Sequence, residues 1–276
     1  MNDIMRLMKL IYGLLFCMNA SGQLSHVQAE NAYITTGAYS SHFTDAFSFI
    51  SNPACLGSIQ VFQSGILDER KWMLKELDNY ELISSFPLGN GGLGIALQHS
   101  GDADYSEQGL ELAYGKRLGR LQMGIRFGYL VDQAAGYRGI SFGSTGIGIC
   151  FHVTEKLIAG WELGLPVFGI AGKTNPERGP QVFKMGFGYE WRPDLFISFQ
   201  VEKAAGLPVN VIGYIEYRYS EQFFFAFGMN SQAGAPYFKS GWKKNHLCIQ
   251  VYTMYEPVLG FSPGIALRWE GKNEKG

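Results

Sequence analysis

Residues 89–94 match a glycine pattern that binds dinucleotides in other proteins. The stretch Gly89-Asn90-Gly91-Gly92-Leu93-Gly94 has glycine at each required position. That chemistry needs a helix N-terminus behind the glycines to hold the pyrophosphate. Here the glycines join two segments in which apolar and polar residues alternate, and no helical pattern follows. The stretch therefore predicts a hairpin turn, and we expect no cofactor.

Histidines and cysteines are the other residues that could bind a metal or act in catalysis. The histidines are His26, His42, His99, His152 and His246, and their spacing fits no metal site. Beyond the first 22 residues, Cys55, Cys150 and Cys248 are scattered and indicate no disulfide framework. His99 precedes Ser100, but no oxyanion-hole donor is indicated beside this pair. We assign no catalytic, cofactor-binding or metal-binding residue and expect a protein that is not an enzyme.

The composition suits aromatic strands with a glycine-lined face. The 276 residues include 36 glycines, 20 phenylalanines, 15 tyrosines and 5 tryptophans, and charged residues make up 17%. An average globular domain has about a quarter of charged residues. The formal net charge of −1 argues against nucleic acid as a partner, because no basic stripe is present to neutralise phosphates.

The first residues have the pattern of an export signal. Arg6 and Lys9 precede an apolar run from Leu10 to Met18, and the small residues Ala20-Ser21-Gly22 follow. The run is too short to cross a bilayer as a helix. We predict a signal peptide at residues 1–22, cleaved after Gly22 or after Ala20.

Residues 121–131 show the alternation of a β-strand. The apolar side chains on one parity are Leu121, Met123, Ile125, Phe127, Tyr129 and Val131. The opposite parity holds Gln122, Gly124, Arg126 and Gly128, and Leu130 is the exception. Successive side chains of a strand point to opposite faces, so one face of this strand is apolar and the other is polar or empty. The apolar parity of this and similar strands carries almost no charge near the middle, as a lipid-facing surface requires.

The same pattern predicts fourteen strands, an even number, as in single-chain bacterial outer-membrane barrels. They span residues 58–66, 79–87, 92–100, 108–116, 120–131, 140–152, 157–166, 182–191, 195–202, 209–219, 222–230, 236–243, 246–255 and 259–269. Short connections alternate with longer ones, which favours tight periplasmic turns at one end and external loops at the other. We predict an all-β fold, an up-and-down antiparallel transmembrane β-barrel of about 14 strands, with both termini periplasmic.

The polar parity predicts a network of charged side chains that face the lumen. Its members are Glu111, Arg126, Glu162, Lys184, Glu190, Glu202, Glu216, Arg218 and Arg268. Both signs are represented, so neighbouring charges can pair across strands. This mixture favours a network that stabilises the barrel over a substrate-selecting ring, which usually concentrates one sign. Glycines on the same parity leave room for a plug such as residues 37–57.

The stretch before the first strand resembles a motif of a known family. Asp45-Ala46, followed by Asn52-Pro53-Ala54-Cys55-Leu56, is similar to the Asn-Pro-Ala-x-Leu signature of FadL-like outer-membrane proteins. The closer resemblance is to the PorV/PorQ branch, which is associated with type IX secretion. The resemblance implies a short plug inside a 14-stranded barrel, with a plug motif of Asp45, Asn52, Pro53, Ala54 and Leu56. The last strand departs from the family pattern because the chain continues to Gly276 and does not end in an aromatic residue.

The predicted organisation is a signal peptide at residues 1–22, an N-terminal extension and plug at 23–57, and a barrel at 58–276. The predicted location is the outer membrane of a Gram-negative-type bacterium, with membrane lipid as the partner of the outer face. The resemblance implies a non-enzymatic accessory in protein secretion or surface attachment, whose partners are exported proteins or components of the secretion machinery. Two alternatives stay open, which are FadL-like passive transport of a small hydrophobic ligand and a general porin-like or structural barrel.

Overall fold

A computed structural model describes residues 33–137, 139–167, 181–231 and 234–272. Fourteen antiparallel strands form a closed barrel in which each strand pairs with its neighbours in the chain and β1 pairs with β14. The strands are β1 (Gln63–Arg70), β2 (Asp78–Leu88), β3 (Gly91–Gly101), β4 (Tyr105–Leu118), β5 (Leu121–Ala134), β6 (Ile140–His152), β7 (Leu157–Val167), β8 (Val182–Arg192), β9 (Leu195–Ala204), β10 (Val209–Arg218), β11 (Phe223–Asn230), β12 (Ala235–Lys244), β13 (Leu247–Glu256) and β14 (Gly260–Glu270). The predicted fourteen-stranded, up-and-down antiparallel barrel is confirmed. The predicted signal peptide lies outside the described residues.

The first strand differs from its prediction. We expected a strand at residues 58–66, but β1 is Gln63–Arg70. Pro53–Ser58 forms a 3-10 turn, and Ile59 packs against the apolar interior. Ile59 is therefore used inside the barrel, whereas Phe62 packs on the outward-facing Phe86 and Trp269. Strand pairing begins only where Gln63 meets both Ser85 and Glu270.

The outer face carries the apolar parity that the sequence predicts. Along β5 the exposed side chains are Met123, Ile125, Phe127 and Tyr129, while Gln122 and Gly124 are buried. Leu130, the exception in the pattern, is only partly exposed on the inward parity. Exposed apolar side chains recur on the outward parity around the barrel. A hydrocarbon environment covers such a surface, and a closed barrel leaves no unpaired strand edge within it. Among the described residues, no helix is long and apolar enough to cross a membrane.

The two ends of the barrel have different connections. The turn end, where β1 begins and β14 ends, has the connections 89–90, 119–120, 153–156, 193–194, 219–222 and 245–246. The loop end has 71–77, 102–104, 135–139, 168–181, 205–208, 231–234 and 257–259. The difference in length is weaker than predicted, because β4 begins at Tyr105 and β5 continues to Ala134. Hairpin pairing at the loop end thus extends into residues that the sequence pattern left as loops.

A lysine on the outer face should destabilise the barrel according to its depth. Phe127, with 57% exposure, lies midway along β5 opposite Leu112 and Thr145. Phe127→Lys should lower the free energy of unfolding by about 2–4 kcal/mol, because hydrocarbon solvates the ammonium poorly. Tyr219→Lys at the turn end is the matched control and should cost about 0–1 kcal/mol. Urea unfolding in phospholipid vesicles measures both, and equal losses would contradict a lipid-covered outer face.

Candidate functional site

The candidate site is the barrel lumen together with the inner segment, which we define as residues 33–62. Short helical turns at Thr36–Tyr39, Ser48–Ser51 and Pro53–Ser58 fold this segment against inward-facing side chains. Tyr39 and Leu56 are fully buried. The segment fills the half of the lumen nearest the turn end, since Gly57 meets the backbone of Lys116 at that end of β4.

Inward-facing glycines make room for the inner segment on β3 to β8. A Cβ built on Gly124 would lie 2.5 Å from the backbone nitrogen of Ala54, and one on Gly115 would lie 2.6 Å from the carbonyl oxygen of Pro53. A Cβ on Gly148 would overlap the side chain of Asn52. Real Cβ atoms do not approach other atoms this closely, so only glycine allows the segment to lie against this wall.

The predicted plug-motif residues hold the inner segment in shape and fasten it to the wall. The Asn52 side chain accepts a hydrogen bond from the backbone of Ala54 at 3.0 Å and donates to the carbonyl of Trp161 at 3.2 Å. Pro53 follows as the first residue of its turn, where its missing N–H is not needed. Ala54 and Leu56 are fully buried.

Asp45, the remaining motif residue, joins a local turn to the wall. One carboxylate oxygen accepts from the Phe47 backbone at 3.0 Å and from the Ser48 hydroxyl at 2.9 Å. The other oxygen lies 2.9 Å from a guanidinium nitrogen of Arg268 on β14. The motif therefore brings one member of the predicted lumen network into contact with the inner segment.

Arg126 is the centre of a buried charge cluster. Its guanidinium pairs with Glu111 at 3.1 Å and also with Glu162. It donates to the Ile50 carbonyl of the inner segment at 2.9 Å. Lys184 lies between Glu162 and Glu202 in the strand register. Five of the predicted network residues are thus together, with alternating signs across neighbouring strands.

Glu190 and Arg218 bind the inner segment near the turn end. One Glu190 oxygen accepts from the Ser40 hydroxyl at 2.6 Å, and the other lies 2.6 Å from a His42 ring nitrogen. Arg218 donates to the His42 carbonyl at 2.8 Å, and its guanidinium carbon lies 3.8 Å from the centre of the Phe43 ring. Two charged side chains on separate strands therefore hold the same turn of the segment.

Lys239 is an important residue that the sequence analysis missed. Its side chain is only 4% exposed, and its ammonium lies 3.2 Å from Glu216. It also lies 5.1 Å from the ring centres of Tyr33 and Tyr214. The available signal was parity, because Lys239 shares its face of β12 with Tyr237 and Gly241. Gln122, which parity placed on the inward face of β5, lies 2.7 Å from His152 and bonds Ser58 of the segment.

The lumen wall on β9 to β14 is apolar and aromatic. Tyr33 of the inner segment packs on Phe47 at 5.0 Å and on Tyr252 at 5.2 Å, while Phe43 stacks on Phe196 at 5.1 Å. The same buried cluster contains Ile34, Leu67, Ile83, Tyr214, Ala226, Ala235, Tyr237, Met254 and Ala266. The glycines that contact the segment thus lie mainly on β3 to β8 and the aromatic rings on β9 to β14, while charged side chains occur on both sides, as Lys239 and Arg268 show.

Exposure near the loop end varies from strand to strand, since inward-facing Asp132 on β5 is buried. Inward-facing Ser144 is exposed, and Glu107, Lys184 and Glu202 are partly exposed. Inward-facing Ser262 on β14, by contrast, is buried. Within the described residues, no group of three or more histidine, cysteine or acidic side chains is arranged to hold a metal ion.

These features define a closed β-barrel of the transmembrane class with a folded segment inside its lumen. No protein-family model matches the chain, and no curated protein matches its sequence. Solved structures do match its fold. The toluene transporter TbuX of Ralstonia pickettii aligns with a TM-score of 0.52 and 11% identity, covering 82% of this chain and 93% of that one.

Two forms of the monoaromatic hydrocarbon channel TodX also match. The deltaS2S3 mutant aligns with a TM-score of 0.57 and 10% identity over 82% of this chain and 94% of that one. The deltaS2 mutant gives 0.53 and 10% over 86% and 98%. These likenesses support the predicted outer-membrane β-barrel fold. They do not show the predicted PorV/PorQ branch.

A methyl group at Gly124 should displace the inner segment. Gly124→Ala should lower the free energy of unfolding by about 1–3 kcal/mol, because the added Cβ meets the Pro53-Ala54 backbone. Gly213→Ala is the matched control, since a Cβ there meets nothing within 4 Å. Denaturant unfolding measures stability, and conductance in a planar bilayer reports whether the lumen has opened. Equal behaviour of the two variants would contradict the close contact.

Loss of the Arg126 guanidinium should be costly because Glu111 and Glu162 would remain buried without it. We expect Arg126→Met to destabilise the barrel by about 3–5 kcal/mol. The double variant with Glu162→Gln should recover part of this loss. Arg192→Met removes an exposed pair with Asp194 and should cost about 0–1 kcal/mol. An effect of Arg126→Met no larger than this control would contradict the buried cluster.

Proposed function

We propose that this protein is a non-enzymatic outer-membrane channel through which small hydrophobic compounds pass without an energy source. The observation that carries the proposal is the buried aromatic and aliphatic cluster between the inner segment and the wall, whose rings come mostly from β9 to β14 and whose aliphatic side chains also come from β1 and β2. A general porin needs a water-filled lumen, whereas apolar and aromatic linings are typical of sites for hydrophobic ligands. The fold likeness to TbuX and TodX agrees with this choice.

Passage requires the inner segment to shift, because its side chains occupy the apolar region. The segment is fastened by polar contacts at Asp45, Ser40 and the Ile50 carbonyl. We propose that the lumen network sets the position of this segment and takes no part in selecting the ligand by charge. The plug motif then holds the inner segment to the barrel wall until the segment shifts.

The remaining parts of the chain have roles that follow from the same proposal. Residues 1–22 direct export, residues 23–57 form the N-terminal extension and plug, and residues 58–276 form the barrel together with its connector. The turn end and both termini face the periplasm, and the loop end faces the exterior. Outer-membrane lipid covers the apolar face.

A second candidate is an accessory barrel for protein secretion or surface attachment, as the PorV/PorQ resemblance implies. The observation that favours it is the firm closure of the turn end by Glu190, Arg218 and the glycine contacts. An accessory barrel binds exported proteins or secretion-machinery components at its surface and needs no passage. The two candidates therefore differ in whether the inner segment must move.

A reducible cross-link tests the transport proposal. The hydroxyl oxygens of Thr36 in the inner segment and Ser198 on β9 are 2.8 Å apart, so a cysteine pair should form a disulfide there. Cells that carry Thr36→Cys/Ser198→Cys should lose uptake of radiolabelled toluene when oxidised. Uptake should return when the disulfide is reduced, because the segment is free again. The host must lack its own hydrocarbon channels.

The matched control places a disulfide within the wall. The Ser64 and Ser84 hydroxyl oxygens on β1 and β2 are 2.9 Å apart, and Ser64→Cys/Ser84→Cys leaves the segment free. Its uptake should not depend on oxidation. If the locked segment transported toluene as fast as the reduced one, a moving plug would be excluded. If no form took up toluene but exported proteins co-purified with the locked barrel, the accessory function would replace transport.

A further inference from the structure

Residues 71–77 form a strap on the rim of the loop end, where they contact β14 and β3. Two 3-10 turns, Lys71–Met73 and Lys75–Leu77, connect β1 to β2. The strap reaches sideways to the neighbouring strands β13 and β14. The indole nitrogen of Trp72 donates to Glu256 at 3.0 Å, and its backbone nitrogen donates to the Ser262 hydroxyl at 3.0 Å.

The strap covers the lumen mouth on this side. Ser262 faces inward near the end of β14, yet only 2% of it is exposed. On the opposite side of the mouth, inward-facing Ser144 is exposed. The burial of Ser262 follows from the strap, which contacts β14 and donates a backbone hydrogen bond to this hydroxyl. The apolar cluster with Tyr252 and Met254 lies on the covered side.

The backbone of the strap is in an unfavourable conformation where the contacts are made. Trp72 has φ of 53° and Met73 has φ of 61°. Residues with bulky side chains rarely adopt this left-handed region, because Cβ crowds the following carbonyl oxygen. Such a conformation persists only where the surroundings hold it. The two hydrogen bonds of Trp72 are among the contacts that hold the closed strap.

Exposed apolar side chains lie beside this strap. Met73 is 63% exposed, and Val258 in the adjacent β13 to β14 loop is 92% exposed. Leu74 and Leu259 next to them are also exposed. These four side chains come from the two loops that Trp72 brings together through Glu256 and Ser262. They offer an apolar molecule a place to bind at the mouth of the lumen.

We propose that residues 71–77 are a latched access gate for the hydrophobic ligand, which is captured on Met73, Leu74, Val258 and Leu259 and enters when Trp72 leaves Glu256 and Ser262. This inference rests on the proposed transport function and adds the portal and its latch. The covered apolar cluster lies directly below the gate, so opening the gate exposes the ligand to the same surface that the inner segment contacts. The strained backbone favours release once the hydrogen bonds are broken.

A cysteine reporter measures the gate without reference to transport. Met254→Cys places a buried thiol opposite Ser262 in the strand register and leaves the latch residues unchanged, and its reaction with a maleimide in detergent micelles reports opening. Adding Trp72→Phe removes the indole donor and keeps a ring, so labelling should become about fivefold faster. Adding Met73→Asn should make labelling about threefold slower, because asparagine accepts the left-handed conformation more readily. The chain without Met254→Cys controls for the buried Cys55, Cys150 and Cys248.

Toluene uptake by cells separates failure of the gate from failure of the proposed function. In chains without the reporter cysteine, Trp72→Phe should raise the initial uptake rate and Met73→Asn should lower it. The order of the variants should be the same as in labelling. The gate would be overturned, and transport left in place, if neither variant changed the uptake rate of the wild-type protein. It would also be overturned if both variants shifted labelling in the same direction. Absence of uptake by the wild-type protein would overturn the transport proposal, and the gate for a ligand with it.

Discussion

Every strand of this barrel takes its backbone hydrogen bonds from two neighbours, because hydrocarbon offers no partner for an unpaired N–H or C=O. The seam from Gln63 opposite Glu270 to Glu69 opposite Gly264 completes the ring. Closure divides the side chains into an outward and an inward population with a period of two residues. The outward population must suit lipid, and the inward population must leave a lumen that something can fill. The remaining features of the structure are responses to these two requirements.

The inner segment matches the two unlike sides of the lumen. Its backbone near Pro53 lies against glycines of β4 and β5, where a side chain on the wall would collide. Its aromatic residues, such as Phe43 and Tyr33, lie against rings from the opposite strands. Charged residues then hold the segment at different depths along the barrel axis. Arg126 donates to the Ile50 carbonyl, and Arg218 donates to the His42 carbonyl nearer the turn end. Shape complementarity and charge pairing thus act on the same thirty residues, 33–62, which lead into β1.

Much of the fold could be predicted because period-two alternation and turn chemistry are local properties. The alternation around Phe127 identified β5 and its outward face, and β6 begins and ends where predicted, at Ile140 and His152. The start of β1 could not be predicted this way, because Ile59 is apolar for packing inside the barrel and not for strand formation. Membership of Arg126 in the lumen network followed from parity. Its bond to the Ile50 carbonyl did not, since that contact depends on how a distant segment folds back.

The inner segment is joined directly to β1, and β1 forms the closing seam with β14. The seam brings together strands from nearly opposite ends of the barrel sequence, so it is the strand pairing with the largest separation in sequence. The segment nevertheless contacts β3 to β8, whose hairpins need only local pairing to form. We therefore expect those strands to pair first, because local hairpins cost less loop-closure entropy than the seam. The segment would then pack against the glycines of those strands, and pairing of β14 with β1 would enclose it last. Pairing of β1 with β14 therefore both completes the barrel wall and keeps the folded segment inside it.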